Sequence, residues 1–564
     1  MNKYQRLYKE VKYKDIRDLI EKSTSLHSDK LAFKLKKDDK YIDITYKNFK
    51  EDVIALETGL IDSGFKDKRI AIISPNRYEW CLTYFATLSI GNIVVPLDKG
   101  LPVNEIESLL QRSYADIVVF DKEYVSIMKN LKENNKTKVT EFICMDETEE
   151  FNNLSKIIEK GKQIVEKGNI DCQKIEIDPE KMSVIIFTSG TTSISKAVML
   201  SHRNIVENIT ALNVAEKIYD TDVNLAFLPF HHAFGITGLM FFLSNGACNV
   251  FCDGLKYIQK NLVEYKVSVF VCVPLLIEAM YKKIMLEIEK QGKTKTVKIA
   301  IKISKALLKI GIDIRRKLFK DIINKLGGNI RFIVSGAAAI DKKVAEAFND
   351  FGILTVQGYG LTETSPVLAA ENEKAIRYGS IGLPMYNVEI KIDNPNSEGI
   401  GEIIAKGPNV MLGYYENEQA TKEVIINGWF HTGDLGKIDE DGYIFITGRK
   451  KNVIVLKNGK NVYPEELEII INNLPYVSES MVYGMPKEDD LVVSAKIVYD
   501  KEYMEHFHQG KTIDQLKDIV WKDIKEINKD LATYKYIKNL VLTDEPMEKT
   551  TTAKIKRFKE ILKE

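Results

Sequence analysis

Thr188, Ser189, Gly190, Thr191 and Thr192 stand together in the run FTSGTTSISKAVMLSH at residues 187–202, and Lys196 follows four positions after the last of them. A turn rich in Ser, Thr and Gly aims main-chain N–H groups and hydroxyls at one spot. A nearby lysine adds a mobile positive charge, so the set suits an anion, above all a phosphate. The apolar run Val184-Ile185-Ile186-Phe187 before it and a helix-like stretch after it supply a strand, a loop and a helix in the order phosphate loops use. Hydroxyl-rich segments between two elements also serve as plain solvated turns.

Spacing removes the familiar phosphate binders. A Walker-type loop needs a glycine, four residues and then Gly-Lys-Ser/Thr, whereas here Gly190 stands alone and Lys196 is followed by Ala197. Gly292-Lys293-Thr294 and Gly510-Lys511-Thr512 have Glu287 and Glu505 where the leading glycine belongs. Gly358-Tyr359-Gly360-Leu361-Thr362-Glu363 starts like a dinucleotide fingerprint, but Glu363 takes the sixth position, where a helix must approach closely through glycine. A P-loop NTPase and a dehydrogenase are both disfavoured.

The elements that must hold such residues read as α/β. Arg69 to Ile73, Ile93 to Pro96, Ile117 to Phe120, Val267 to Val273 and Ile330 to Val334 are short β-like runs; helix-like stretches such as Tyr78 to Ser89 separate them. This is the rhythm of parallel sheets covered by helices. At 564 residues the chain exceeds one hydrophobic core, so at least two domains are expected. Near residues 448–452 the pattern changes, and the roughly 110 residues beyond suit a small α+β domain, with strands at Ser480 to Gly484 and Val492 to Val498.

Composition bounds the partners. With 81 Lys and Arg against 80 Asp and Glu, nothing in the overall charge draws the chain to nucleic acid. Six cysteines without a C-x-x-C pair and seven scattered histidines argue for free thiols in a reduced, cytoplasmic setting and against a zinc site. The N-terminus is charged throughout and lacks an apolar signal region. Residues 223–252 hold no charged side chain, but Pro229, His231, His232, Gly235, Gly238, Asn245 and Gly246 interrupt them, so a buried loop and helix is expected there, not a membrane span. Residues 281–320 carry thirteen Lys or Arg against three Asp or Glu, with Lys298, Lys302, Lys305 and Lys309 on one helical face. Such a face is either solvated or a weak peripheral contact for an anionic membrane surface.

Segments far apart in the chain carry a resemblance. TSGTTSISKAVMLSH at 188–202, LPFHHAFG at 228–235, SGAAAI at 335–340, QGYGLTETSP at 357–366, HTGDLGKIDEDGYIFITGRKKNVIVLKNGKNVYPEELE at 431–468 and EKTTTAKIKR at 548–557 resemble, in content and order, the adenylate-forming superfamily of acyl-CoA synthetases, adenylation domains and luciferases. The long-chain fatty-acyl-CoA synthetase branch is the most similar. The resemblance implies a large N-terminal domain of helix-covered sheets over residues 1–450, and a mobile α+β lid over 451–564 that hinges at Lys451.

It also implies a reaction. The carboxylate of an acid attacks the α-phosphorus of ATP, pyrophosphate leaves, and the acyl-AMP is passed to a thiol. No general base is required, because a carboxylic acid with a pKa of roughly 4 to 5 is already ionised at neutral pH. The demand is charge neutralisation and alignment. On the resemblance, Thr188 to Thr192 with Lys196 would hold the β- and γ-phosphates, and Glu363 would offer Mg²⁺ the hard oxygen it prefers. Tyr359 would stack on adenine, with Gln357, Gly358 and Gly360 around it, and Thr362 would bond the α-phosphate. Gly336, Ala337 and Ala338 would line the purine, Asp434 would take the ribose hydroxyls, and Arg449 would reinforce that end. Lys554 would bridge carboxylate and α-phosphate, His232 would border the acyl entrance, and Gly459 would leave room for the pantetheine arm of coenzyme A. Ser193, Ser195, Ala197 and Ala553 stand where the superfamily usually has glycine or proline, which bears on loop mobility.

The reading is an ATP- and Mg²⁺-dependent acyl-CoA synthetase for an aliphatic, long-chain acid. An acyl-AMP ligase that loads a carrier protein and a non-catalytic acyl or nucleotide sensor are the alternatives.

Overall fold

The computed structural model describes residues 3–37, 40–188, 195–457, 459–487, 490–549 and 555–563. These residues form two compact units: the segments up to 390 together with 405–430, and 391–404 together with the segments from 431 onward.

The first unit is built on two sheets. In one, Met182–Thr188, Ile93–Pro96, Arg69–Ile73, Ile117–Phe120 and Glu141–Cys144 lie side by side in parallel. Lys196–Ser201 and then Gly413–Tyr414 add antiparallel strands beyond Met182–Thr188. In the other, Leu31–Lys37, Cys248–Phe251, Val223–Ala226, Val269–Cys272, Phe332–Ser335 and Leu354–Gly360 are parallel neighbours in that order. Consecutive residues such as Val118, Val119 and Phe120 are all fully buried. Both sides of these strands face apolar neighbours, which is why they read as continuous apolar runs without alternation.

One core joins the sheets. It takes Ile70, Val94 and Val184 from the first sheet, Phe33, Val269 and Phe332 from the second, and side chains of the helices Tyr78–Ser89 and Ala233–Ser244. Trp80 stacks on Tyr84 at 5.1 Å between ring centres and meets Phe230 at 5.2 Å. Ala233–Ser244 is apolar on nearly every face and is buried accordingly. Among the described residues no helix is long and apolar enough to cross a membrane. All six cysteines are free thiols, five of them buried.

In the second unit, Val477–Lys487 pairs antiparallel with Asp490–Tyr499, and Asn539–Thr543 joins in parallel. The helices Pro464–Asn472 and Ile513–Lys529 supply Leu467, Ile471, Leu516, Val520 and Ile524 to the core of this sheet. The basic stretch forms the helices Pro274–Lys290, Thr294–Lys309 and Arg315–Leu318 of the first unit. Lys305 does not stand in a purely cationic row: Glu346 (2.8 Å) and Asp350 (3.0 Å) pair with it.

His202 ties two helices of the first unit. Ser201 caps the helix His202–Ala215 by accepting the Asn204 N–H at 3.1 Å, which places His202 in the first turn. There its Nδ1 accepts the Ile16 N–H at 3.4 Å, at the start of the helix Ile16–His27. Burial pushes its pKa from 6.5 down to about 4. On acidification the unfolded chain takes up this proton first, so the stability held by neutral His202 falls between pH 6.5 and about 4, by about 3 kcal/mol in all. His202→Asn retains an acceptor for Ile16 and removes the titration. Its urea midpoint should therefore depend less on pH across that window than that of the unsubstituted protein, and equal slopes would refute the assignment.

Candidate active site

The motifs of the first unit share one structural address. Thr188 ends a strand that pairs in parallel with Ile93–Pro96, and Gly336 and Gln357 stand where the Phe332–Ser335 and Leu354–Gly360 strands leave their parallel pairing. That is where open α/β sheets bind ligands, because side chains and N–H groups leave the pairing there.

Thr188 and Lys196 face each other across the hairpin, and the Thr188 hydroxyl donates to the Lys196 carbonyl at 3.4 Å. Ser189, Gly190, Thr191 and Thr192 lie outside the described residues. Past them, Arg112 donates to the Ser195 hydroxyl at 3.0 Å and also bonds its carbonyl, while its guanidinium lies 5.2 Å from the centre of the Phe187 ring. Ser195, at the position where the resemblance expects proline, is thereby anchored.

Tyr414 joins two predicted residues. The Lys196 amine sits 4.5 Å from the centre of its ring, and its hydroxyl donates to Glu363 Oε1 at 2.9 Å. Burial, with the carboxylate of Glu363 beside it, pushes the Tyr414 phenol far up, so it stays a donor. Glu363 rides on the short turn Thr362–Thr364, held by the Met411 N–H on its carbonyl (2.8 Å) and the Asn409 amide on the Thr364 carbonyl (2.8 Å). Tyr414 was not legible from the sequence: Gly413-Tyr414-Tyr415 has no spacing that marks chemistry.

The purine-lining candidates are fixed by neighbours. Gly336 donates to the Cys272 carbonyl at 3.1 Å, and a Cβ on it would come within 2.7 Å of the Phe234 ring. Ala337 has φ of +70°. Gln357 is buried; its Oε1 accepts the Ile340 N–H at 2.7 Å and its amide donates to the Ser380 carbonyl at 3.0 Å. Gly358, Tyr359 and Gly360 leave the parallel ladder and pair antiparallel with Val367–Ala370. His232 precedes the helix Ala233–Ser244, its Nε2 lies 3.1 Å from that of His231, and Phe234 of the same segment reaches Gly336.

Asp434 and Arg449 belong to the second unit and are cross-strand partners there, with Arg449 Nε 2.7 Å from Asp434 Oδ1. The turn before Asp434 is braced by Glu402, which accepts from the Gly433 N–H (3.0 Å), His431 Nδ1 (3.2 Å) and the Lys450 amine (2.9 Å). Burial would raise the Glu402 pKa, but Lys450, His431 and the Gly433 N–H hold it below the usual carboxylate range. Lys451 is exposed in the single turn Lys450–Asn452. Gly459 has φ of +75° in the tight turn between Ile454–Val455 and Asn461–Val462. Lys554 lies outside the described residues.

Residues 20–415 match the family described as AMP-binding enzyme, and residues 451–562 match the AMP-binding enzyme C-terminal domain. The chain belongs to the AMP-binding enzyme family. The long-chain-fatty-acid–CoA ligase FadD15 of Mycobacterium bovis is 28% identical over 494 residues, covering 84% of this chain and 80% of that protein. Long-chain-fatty-acid–CoA ligase 5 of Mus musculus is 28% identical over 550 residues, covering 89% of this chain and 79% of its own. Among solved structures, the anthranilate CoA ligase AuaEII in complex with anthranoyl-AMP superposes with a TM-score of 0.77 at 19% identity, over 98% of this chain and 97% of that one.

The exit of the Leu354–Gly360 strand gives a sharp structural test. A Cβ on Gly360 would lie 1.7 Å from the Pro366 carbonyl oxygen, a main-chain atom that cannot rotate away, whereas on Gly358 the nearest atom is 3.9 Å distant. Gly360→Ala should therefore destabilise the protein by about 2 kcal/mol or more, and Gly358→Ala by much less. Equal urea midpoints for the two variants would contradict this packing.

Proposed function

We propose that the chain activates a long-chain fatty acid with ATP, forming acyl-AMP and pyrophosphate, and then transfers the acyl group to coenzyme A with release of AMP. The observation that carries this reading is the convergence on Tyr414 of Lys196, over its ring, and Glu363, at its hydroxyl, on the turn that follows the Leu354–Gly360 strand. The fatty-acid assignment is supported by the relatives' names and by the uncharged stretch around the Ala233–Ser244 helix.

In the first half-reaction, a carboxylate oxygen bonds to the α-phosphorus of ATP as the bond to the pyrophosphate oxygen breaks. Lys196 neutralises phosphate charge, Lys554 bridges carboxylate and α-phosphate, and Asp434 with Arg449 fixes the ribose end. The donor set of Glu363, a carboxylate on a turn held by Met411 and Tyr414, fits the hard Mg²⁺ ion. When bound, Mg²⁺ supplies charge neutralisation on the phosphates. In the second half-reaction the sulfur of coenzyme A attacks the acyl carbonyl, its proton is lost, and AMP leaves. Gly459 lies on the thiol path, and the lid turns at Lys451, where the match to the C-terminal domain begins.

Pyrophosphate exchange tests the first step. An acid of about twelve to sixteen carbons should drive it and acetate should not, since each buried CH₂ contributes about 0.8 kcal/mol. Lys554→Ala should slow adenylation about a hundredfold and spare thioester formation from supplied acyl-AMP, while Gly459→Leu should do the reverse. Equal loss of both half-reactions in either folded variant would defeat the two-orientation scheme. Thioester formed with a carrier protein but not with coenzyme A would select the acyl-AMP ligase.

We further propose a weak membrane contact through the helix Thr294–Lys309 and the residues after it. Ile299, Ile303 and Ile310 are 58%, 51% and 70% exposed, beside the exposed Lys298, Lys302 and Lys309. Apolar side chains flanked by cations suit an anionic bilayer, with each cation worth about 1 kcal/mol at most. Sedimentation with anionic vesicles, absent with neutral ones and lost near 0.5 M salt, is expected. Ile303→Glu should weaken it, and unchanged binding in that variant would remove this face from consideration.

A further inference from the structure

Outside the groups assigned to ATP and coenzyme A, one cluster of the first unit has the chemistry of a metal site. Asp98, His231 and His232 each bring a ligand atom to within 4.8 Å of the others. His231 Nε2 lies 3.1 Å from His232 Nε2 and 3.5 Å from Asp98 Oδ1. Two ligands of a tetrahedral zinc ion at about 2.05 Å from the metal stand about 3.3 Å apart, so both separations match an edge of that tetrahedron. We propose that Asp98, His231 and His232 form a binding site for Zn²⁺ or a similar borderline transition-metal ion.

The cluster is held from behind. Asp98 follows the C-terminal end of the Ile93–Pro96 strand, and its Oδ1 accepts the Gly100 N–H at 2.8 Å. The loop that carries the histidines follows the Val223–Ala226 strand, and Asn76 fixes it by donating to the Leu228 carbonyl at 2.7 Å and accepting the Phe230 N–H at 3.0 Å. His231 is buried, and the His232 carbonyl accepts from the Gly235 and Ile236 N–H groups in the first turn of the helix. Three ligands on fixed backbone leave further coordination positions to water or a carboxylate, the composition of an open metal site.

Ligand type separates this site from the one assigned to Mg²⁺. Two imidazoles and one carboxylate favour zinc, cobalt or nickel, while Mg²⁺ prefers oxygen alone and keeps its water. Metal binding requires the lone pair of both Nε2 atoms, so each ring carries its proton on Nδ1. Resting on the reading of His232 as the border of the acyl entrance, occupancy by zinc would hold that imidazole away from the incoming acid and slow adenylation.

The full chain, freed of metal by a chelator, should take up one equivalent of Zn²⁺ in calorimetric titration, and excess Mg²⁺ should not displace it. Co²⁺ in its place should give the visible absorption of a four-coordinate nitrogen and oxygen site. Asp98→Asn, which preserves an acceptor for Gly100, and His231→Gln should each weaken Zn²⁺ binding by at least about tenfold. Absence of stoichiometric binding, or binding unchanged in both variants, would overturn the site, and the Co²⁺ spectrum decides the matter even if a variant misfolds. Acid-dependent pyrophosphate exchange slowed by Zn²⁺ and restored by the chelator is expected; binding without slowing would overturn the inhibitory role. Failure of exchange altogether would count against the proposed ligase reaction and leave the metal titration standing.

Discussion

Parallel strands buried on both faces leave polar chemistry only one kind of place to go. In the first unit the strand residues are apolar nearly throughout, as in Val118, Val119 and Phe120, and their backbone groups are consumed by the ladders. Away from such exceptions as the Asn224–Asn249 pair, charged and hydroxyl side chains are best accommodated where strands end. Thr188, Gly336, Gln357 and Asp98 all occupy such ends. The core of Trp80, Phe230, Phe242 and their neighbours is therefore what sets the position of the site, since it holds the two sheets whose ends carry it.

At those ends the structure balances charge through an aromatic ring. Tyr414 receives the Lys196 ammonium on its face and donates a hydrogen bond from its hydroxyl to Glu363. A cation and an anion that paired directly would cancel each other's use. Separated by one tyrosine, the two are held without a direct ion pair, which on the proposed reading leaves the lysine for phosphate and the carboxylate for a hard cation. The antiparallel pairing of Tyr414 with Val198 holds the backbone that carries the ring.

Local patterns were legible in the sequence, and long-range pairings were not. The Tyr78–Ser89 helix and the strands at 69–73, 93–96 and 117–120 follow from apolar runs and their spacing. The order of six motifs marked the family. Tyr414 escaped because it acts through a fold contact with residues 51 and more than 200 positions away. Arg112, which anchors Ser195 from 83 positions away, escaped for the same reason. The cationic row containing Lys305 looked uniform because helical spacing reports which side chains share a face, not the Glu346 and Asp350 that a different helix presents to it. Two adjacent histidines are visible in the sequence, but Asp98 completes the cluster only once two sheets are packed.

Ala337 shows how such a site sustains a costly local conformation. A non-glycine residue at φ of +70° is disfavoured, by about 1 kcal/mol or more. It persists because both flanks are tied: Gly336 donates to Cys272, and Ile340 donates to the buried Gln357, itself bonded to Ser380. Phe234 closes one side of Gly336, so the loop cannot relax in that direction. The strained residue lies in the stretch assigned to the purine, where a flat base must meet main chain. On the proposed reading, a loop already held in this shape would lose little entropy when a nucleotide arrives, the sheet and core that hold it having supplied that shape during folding.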